Sequence, residues 1–331
     1  MRAVQIGVGS ETFGRTWRKG LIQIEGVEIV GLIDPNPSYL KESREFFGLP
    51  EESCASWASK EFYDRVQADF IIDSTPHAFH YKNALEAMRF GLNVIVVKPM
   101  SDSFATADTM VNEATRLGKK LVVAQQIRFM ESVLQLRKLI GDGMIGDIAY
   151  IQADSYFTRQ GPVRDKWYQP HPLLLECAIH QFDLIRWISG LEPESVIADA
   201  WNMPWNEEVW GKKSAIALFH MSNGSRALFR GLSTDQPGES YPGHWEIEGT
   251  NGVLSLVKGN ILLNGNRIWP AEEQSEAELD ILTLNAEVLK DALAYFAGSE
   301  TPVLTGADNL KSLKMAFACI ESSDKGSKIH L

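Results

Sequence analysis

The chain has 331 residues, 44% of them hydrophobic and 23% charged, three cysteines and a formal net charge of −11 at neutral pH. That length suggests two domains of ordinary size, each able to bury a core. The acidic balance, without any basic run, argues against nucleic acid or an anionic membrane as partner and leaves a small ligand met locally.

Cys54, Cys177 and Cys319 are far apart and odd in number, so reduced thiols are expected, with neither a disulfide framework nor a metal site. The opening residues Met1 to Gly7 run straight into a strand with no room for a signal peptide, and no apolar run reaches spanning length; a cytoplasmic protein is expected. Residues 4–8 read as the first strand. The turn Gly7-Val8-Gly9-Ser10-Glu11-Thr12-Phe13-Gly14 follows, and then helical spacing from Thr16 to Ile24. Strand, glycine turn and helix form a dinucleotide-binding opening: the first glycine allows the tight turn, and the second lets a pyrophosphate approach the amides at the helix amino end. The third glycine of the usual pattern would fall at Thr12 and is missing, and two glycines alone fit a plain structural turn equally well. A second strand over 27–33 ends in Asp34-Pro35-Asn36. An acid at that point accepts hydrogen bonds from both hydroxyls of an adenosine ribose and repels a 2′-phosphate, which favours NAD over NADP. The plainer alternative is an Asx turn before proline.

A helix over 38–47 ends near Gly48 and Pro50, and an amphipathic helix covers 60–66. The strand 68–73 runs into Ser74-Thr75-Pro76-His77, where small hydroxyls and a proline turn can line a nicotinamide ribose. His77 can face the cofactor, whereas His80 reads as a packing or capping residue before the helix 81–90. Asn93-Val94-Ile95-Val96-Val97-Lys98-Pro99-Met100 then drives a run of apolar β-formers into a lysine and a proline. This is a strand buried on both faces with a cation left at its carboxyl end, the edge of an open parallel sheet where ligands bind. A lysine there can hydrogen-bond a reacting oxygen or lend it positive charge; a surface lysine after a core strand is the equal alternative. Ser103 caps a helix over 103–117, and the strand 121–124 leads to Gln125-Gln126-Ile127-Arg128-Phe129. The pattern is that of six strands alternating with helices, a doubly wound sheet that makes 1–125 a dinucleotide-binding domain.

Residues 126–331 then read as a second, α+β domain. After a helix over 131–142, strands are expected over 148–157, 195–200, 214–221, 225–232, 244–248, 253–257 and 260–263, some joined as hairpins by turns such as Ser222-Asn223-Gly224. This is a large, mostly antiparallel sheet with helices on one face; its open face predicts a homodimer or homotetramer built sheet to sheet. One helix, Leu173 to Trp187, interrupts the strands. Its Glu176, His180, Asp183 and Trp187 fall on one stripe, where two acids flanking a histidine would orient it and favour its protonated form. A partly solvated polar face with a structurally bonded histidine explains the same stripe. The loop between Phe157 and Pro172 holds Arg159, Arg164, Lys166, Trp167, Tyr168 and His171, and Trp201, Trp205 and Trp210 form another aromatic group. Flat apolar faces beside hydrogen-bonding groups suit sugar rings and suit oligomer contacts equally. The helices 282–296 and 307–322 finish the domain.

In order and spacing, Gly7-Val8-Gly9, Asp34, Thr75-Pro76-His77, Val97-Lys98-Pro99, Arg128-Phe129, Gly143-Met144-Ile145-Gly146-Asp147, the helix Glu176 to Trp187 and Glu248-Gly249-Thr250-Asn251-Gly252 resemble the Gfo/Idh/MocA family of glucose-fructose oxidoreductase and inositol 2-dehydrogenase. The resemblance covers nearly the whole chain. It implies a Rossmann domain that binds NAD through Gly7, Gly9, Ser10, Glu11, Thr12, Phe13, Asp34, Thr75, Pro76, His77, Lys98 and Gln126. It also implies Lys98 and His180 as the catalytic pair, with Glu176 where the family has an aspartate touching substrate, Asp183 supporting the same site, and Arg128 and Trp167 near the substrate. The expected reaction is hydride transfer between nicotinamide and a secondary alcohol of a sugar, sugar derivative or cyclitol. Three positions depart from the family pattern: Val97 stands for the usual glutamate, Thr12 for the third glycine, and Ala178 for a helix glycine. Two other uses of such a chain stay open, an NAD-using glycosidase and a catalytically silent NAD- and sugar-binding regulatory protein.

Overall fold

The computed structural model describes residues 1–9, 14–21, 24–158, 170–203, 211–234, 241–270 and 281–331, the side chains of 157–158 and 233–234 excepted. The chain forms two compact units, Met1–Gln126 with Asp280–Leu310, and Ile127–Leu279 with Lys311–Leu331.

In the first unit, β1 (Arg2–Ile6), β2 (Glu28–Ile33), β3 (Cys54–Ala55), β4 (Phe70–Asp73), β5 (Asn93–Val97) and β6 (Leu121–Ala124) form a parallel sheet in the order β3-β2-β1-β4-β5-β6. The order reverses between β1 and β4, and the carboxyl ends of the strands at such a point open a ligand crevice. Val4, Ile71, Val94 and Ile95 have no solvent exposure, as expected of strands covered on both faces. The helices are α1 (Gly14–Leu21), α2 (Pro37–Phe47), α3 (Lys60–Val66), α4 (His80–Arg89) and α5 (Phe104–Arg116). Asn36, Ser59 and Ser103 cap α2, α3 and α5 by accepting from backbone N–H groups of the first turn, and Pro37 starts α2 where no donor is needed. The strand that the six-strand pattern counts but does not locate is β3. It has two residues, too few to show any alternation.

In the second unit, α6 (Glu131–Gly141) and β7 (Ile148–Thr158) precede a π-helical turn, Leu173–Cys177, and α7 (Ile179–Ser189). The strands β8 (Pro193–Trp201), β9 (Ser214–Met221), β10 (Arg226–Thr234), β11 (His244–Gly249), β12 (Gly252–Val257), β13 (Asn260–Leu263) and β14 (Asn266–Trp269) follow. Later come α8 (Ile281–Phe296), α9 (Gly306–Lys325) and β15 (Ile329–His330). The sheet order is β14-β13-β12-β11-β7-β10-β9-β8-β15; β7 and β10 pair parallel and the other neighbours antiparallel. Its inner face buries Ile151, Ala153, Trp245 and Ile247, and Phe219 and Phe229 there set their rings 5.4 and 5.1 Å from Phe182 of α7. Its outer face leaves Ile197 and Ile216 50% and 41% exposed, beside Trp201 and Leu218. The short edge strands β14 and β15 are additions to the sequence reading.

Helix α8 shows where chain order and packing part. A division at 125/126 assigns it to the second domain, yet it packs on α1 and β6 of the first unit. The ring of Phe296 lies 5.5 Å from that of Phe70, and the Lys120 ammonium sits 4.6 Å above the Tyr295 ring while bonding the Tyr295 carbonyl. Aromatic and cation contacts of this kind are set by three-dimensional neighbours and leave no periodic trace. Among the described residues no helix is long and apolar enough to cross a membrane, and none of the three cysteines is in a disulfide.

Candidate active site

At the tip of β1, Gly7 has φ +81°, and a Cβ there would lie 2.7 Å from the Thr75 nitrogen, so the approach of the β1 and β4 tips requires glycine. At the start of α1, a Cβ on Gly14 would lie 2.3 Å from the Gly7 carbonyl oxygen. Gly14 therefore performs the close strand-to-helix packing for which a third glycine was expected at Thr12. The turn is pinned from below: the Gln5 side-chain amide donates to the Gly14 carbonyl at 2.8 Å, and the Ser74 hydroxyl lies 3.0 Å from the carbonyls of both Ile6 and Gly7. Ser10, Glu11, Thr12 and Phe13 lie outside the described residues.

Asp34, at the end of β2, is 7% exposed. One oxygen accepts from the Asn36 N–H at 2.9 Å, the Asx turn of the plainer reading, and the other accepts from the Gly9 N–H at 3.2 Å. Burial pushes its carboxyl above the ordinary value of 3.8, against the backbone donors that pull it down. A buried, acceptor-only group tied to the glycine turn fits the diol of an adenosine ribose. The sequence reading missed Tyr39: a Cβ on Gly9 would fall 1.8 Å from its ring, so the ring covers the second glycine of the turn. Its place one turn into α2 behind Asp34 was the available signal.

Across the crevice, Thr75 gives both its N–H and its hydroxyl to the Asp73 carboxylate, at 3.0 and 2.6 Å, and Asn83 holds the other oxygen of Asp73 at 3.0 Å. Thr75, Pro76 and His77 are left partly exposed. Val97, the last residue of β5, is 2% exposed and offers no polar group; Lys98 follows it, partly exposed, with a cis peptide to Pro99. At the tip of β6, Gln126 is 8% exposed, and among the described residues its side-chain oxygen has no hydrogen-bond partner. Both amide atoms of the more deeply buried Gln125 share that condition. A buried amide without partners carries a desolvation cost that a ligand can remove.

The second unit carries the histidine. His180 sits in α7, 2% exposed, with the Tyr241 ring edge-on at 4.9 Å and 81°. Tyr241, another residue the sequence reading passed over, is fixed by its neighbour, because the Pro242 carbonyl accepts from Gln181 at 3.2 Å and from Trp245 at 2.7 Å. Glu176 is partly exposed but belongs to the π-helical turn, so the expected stripe of one regular α-helix is interrupted between Glu176 and His180.

Asp183 and Arg128 are paired with each other. The Arg128 guanidinium meets both Asp183 oxygens at 2.6 Å, side chains 2% and 1% exposed, and Ser312 donates to Asp183 at 2.7 Å. Arg186 extends the network to Ser312 at 2.7 Å and to Glu192 at 2.7 and 3.0 Å. A fork this well matched ties Arg128 to α7 through Asp183, a pairing that the sequence reading did not foresee. Trp167 and the loop Arg159 to Lys166 lie outside the described residues, which include no group of three or more His, Cys, Asp and Glu arranged to hold a metal.

Comparison with known proteins agrees with this arrangement. Residues 1–125 match the model of an oxidoreductase family with an NAD-binding Rossmann fold, and residues 133–255 match the GFO/IDH/MocA C-terminal domain. The chain is 24% identical to 2,7-anhydro-N-acetylneuraminate hydratase of Mediterraneibacter gnavus, over 98% of this chain and 95% of that protein. It is 23% identical to 1,5-anhydro-D-fructose reductase of Ensifer adhaerens, over 96% of each. The crystal structure of myo-inositol 2-dehydrogenase from Lactobacillus plantarum superposes with a TM-score of 0.81 at 22% identity, covering 100% of this chain and 99% of that one. A glycine cradle closed by Gly14, an acid at the tip of β2 and a lysine at the tip of β5, followed by a mostly antiparallel second sheet, are thus the features of a chain that belongs to the GFO/IDH/MocA family of NAD-binding oxidoreductases.

Proposed function

We propose that the protein is an NAD-dependent dehydrogenase that reversibly oxidises a secondary alcohol of a sugar, sugar derivative or cyclitol, with Lys98 and His180 as its acid/base pair. The observation that carries the reading is Lys98 itself, a partly exposed cation placed by a buried strand at the ligand edge of an NAD-type sheet. When bound, NAD supplies the hydride acceptor. Gly7, Gly9 and Gly14 shape the cradle and Asp34 accepts from the adenosine ribose. The imidazole of His180 takes the hydroxyl proton, Lys98 hydrogen-bonds the same oxygen and stabilises the negative charge developing there, and Glu176 and Tyr241 meet the substrate around His180. Acid/base assistance of this kind accelerates the step by roughly a hundredfold to ten-thousandfold. Asp183 acts through Arg128, holding the helix that carries His180. The named activities of the reductase and dehydrogenase relatives support an alcohol or carbonyl carbon as the reacting centre. The test is to mix the protein with NAD and a panel of sugars, sugar acids and inositols and follow NADH; net formation with at least one polyol is expected, and none across the panel contradicts the assignment.

A second reading has its own support, since one full-length relative is named a hydratase, a reaction without net oxidation. In that case substrate is consumed while NADH does not accumulate, and the same panel analysed by mass separates the two. We further propose that the open face of the second sheet is covered by another copy of the chain, because Ile197 and Ile216 stand exposed beside Trp201 and Leu218 on the paired strands β8 and β9. Sedimentation should show a dimer or tetramer that an Ile216→Glu substitution dissociates; a wild-type monomer at micromolar concentration refutes it.

A further inference from the structure

Two loops of the first unit carry the residues assigned to the nicotinamide end, the segment after β4 that begins with Ser74 and Thr75, and Lys98-Pro99 after β5. One side chain joins them. His80, the first residue of α4, has no solvent exposure; its Nδ1 lies 3.1 Å from the Pro99 carbonyl oxygen and its Nε2 2.8 Å from the Thr75 carbonyl oxygen.

The geometry excludes the capping role that the sequence suggested for His80 and adds to the packing one. A capping side chain must accept from the N–H groups of a helix start, whereas α4 has no side-chain cap and this ring faces two carbonyls outside the helix. A mere packing residue has no need of nitrogens, and each of these contacts is a hydrogen bond only if the ring supplies the proton, because a carbonyl only accepts. A neutral ring donates to one of the two carbonyls, and a ring protonated on both nitrogens donates to both. The same face of α4 grips the β4 tip a second time, since Asn83, three residues on from His80, holds the Asp73 carboxylate to which Thr75 is tied. The second nitrogen of His80 carries that grip across to the tip of β5.

We infer that His80 is the positioning residue for Lys98: a rigid ring between the Thr75 and Pro99 carbonyls fixes the spacing of the β4 and β5 loops, and with it the peptide from which the Lys98 side chain leaves. The effect on turnover rests on the reading of Lys98 given above, but the effect on where Lys98 sits does not. His80→Phe keeps the ring and removes its donors, and His80→Gln restores an amide nitrogen carrying two N–H groups. The readouts are NADH affinity, from quenching of tryptophan fluorescence, and the rate at which trinitrobenzenesulfonate modifies Lys98, followed by peptide mass in the whole protein.

In His80→Phe the Lys98 rate should change by about three- to tenfold, the equivalent of one net hydrogen bond, and NADH affinity, to which the same loops contribute, should fall by no more than about that factor. His80→Gln should return the rate toward wild type. A Lys98 rate equal to wild type in folded His80→Phe overturns the inference, as does failure of His80→Gln to recover any of a change. If His80→Phe does not fold, nitrogen-15 NMR of histidine-labelled wild type decides: protons on both ring nitrogens of His80, protected from exchange, support the bridge, and a single ring proton or none overturns it. Should Lys98→Ala keep full turnover, the catalytic reading fails while the modification rates still test the bridge.

Discussion

The two units place their chemical groups by different means. In the first, Gly7, Asp34, Thr75, Lys98 and Gln126 stand at or just past the carboxyl ends of β1, β2, β4, β5 and β6, so the parallel register of the sheet aligns them. In the second, Glu176 in the π-helical turn and His180 in α7 sit beside a polar lattice of Arg128, Asp183, Ser312, Arg186 and Glu192 that ties α7 to its surroundings. A sheet can hold a site with backbone; a helix among apolar side chains can turn, and buried, directional ion pairs stop it.

The sharpest way to break this contrast is to remove the pin. Asp183→Ala leaves the Arg128 guanidinium buried without its carboxylate, which should cost about 3–5 kcal/mol. Denaturant unfolding followed by circular dichroism should show an early transition from the second unit alone, with NADH binding by the first intact. An unchanged profile would mean that the network is ornamental. A smaller effect belongs to the first unit. Asp34 has its folded pKa raised above 3.8 by burial, so it takes up its proton at a higher pH than an ordinary aspartate. Two signs follow. With Asp34 as the proposed acceptor for the adenosine ribose, NADH affinity should begin to fall as the pH drops into the window between the raised folded value and 3.8. The stability of the folded unit should rise over the same window on acidification, because the native state binds the proton more tightly than the unfolded chain. Asp34→Asn should abolish both trends; affinity that holds steady down to pH 3.8 in wild type contradicts the assignment.

Much of the first unit was legible in the sequence, since apolar runs ended by Gly, Asp-Pro, Thr-Pro and Lys-Pro mark both the strands and their tips. What stayed hidden was short or distant. β3 has two residues, and Gly14 stands two places beyond the expected glycine. Tyr39 reaches back across thirty positions to cover Gly9. In the second unit the alternating strands and the helix with its histidine could be read, but not the pairing of Arg128 with Asp183 across 55 residues, nor that of Tyr241 with His180. Such contacts depend on packing, and a one-dimensional pattern carries no record of which arginine meets which acid. The π-helical turn at Leu173–Cys177 is a further case: its residues have ordinary helical spacing, and only the backbone shows the extra width.

The claim on which the account turns is that Lys98 and His180 serve one oxygen. A double-substitution cycle on turnover tests it most directly, using the polyol that gives net NADH formation. Lys98→Ala and His180→Ala should each lower kcat by roughly a hundredfold to ten-thousandfold while both still bind NADH. The double variant should be little worse than the poorer single one, as for residues that act as a unit. Losses that multiply in full would show two groups working independently and would contradict the shared site.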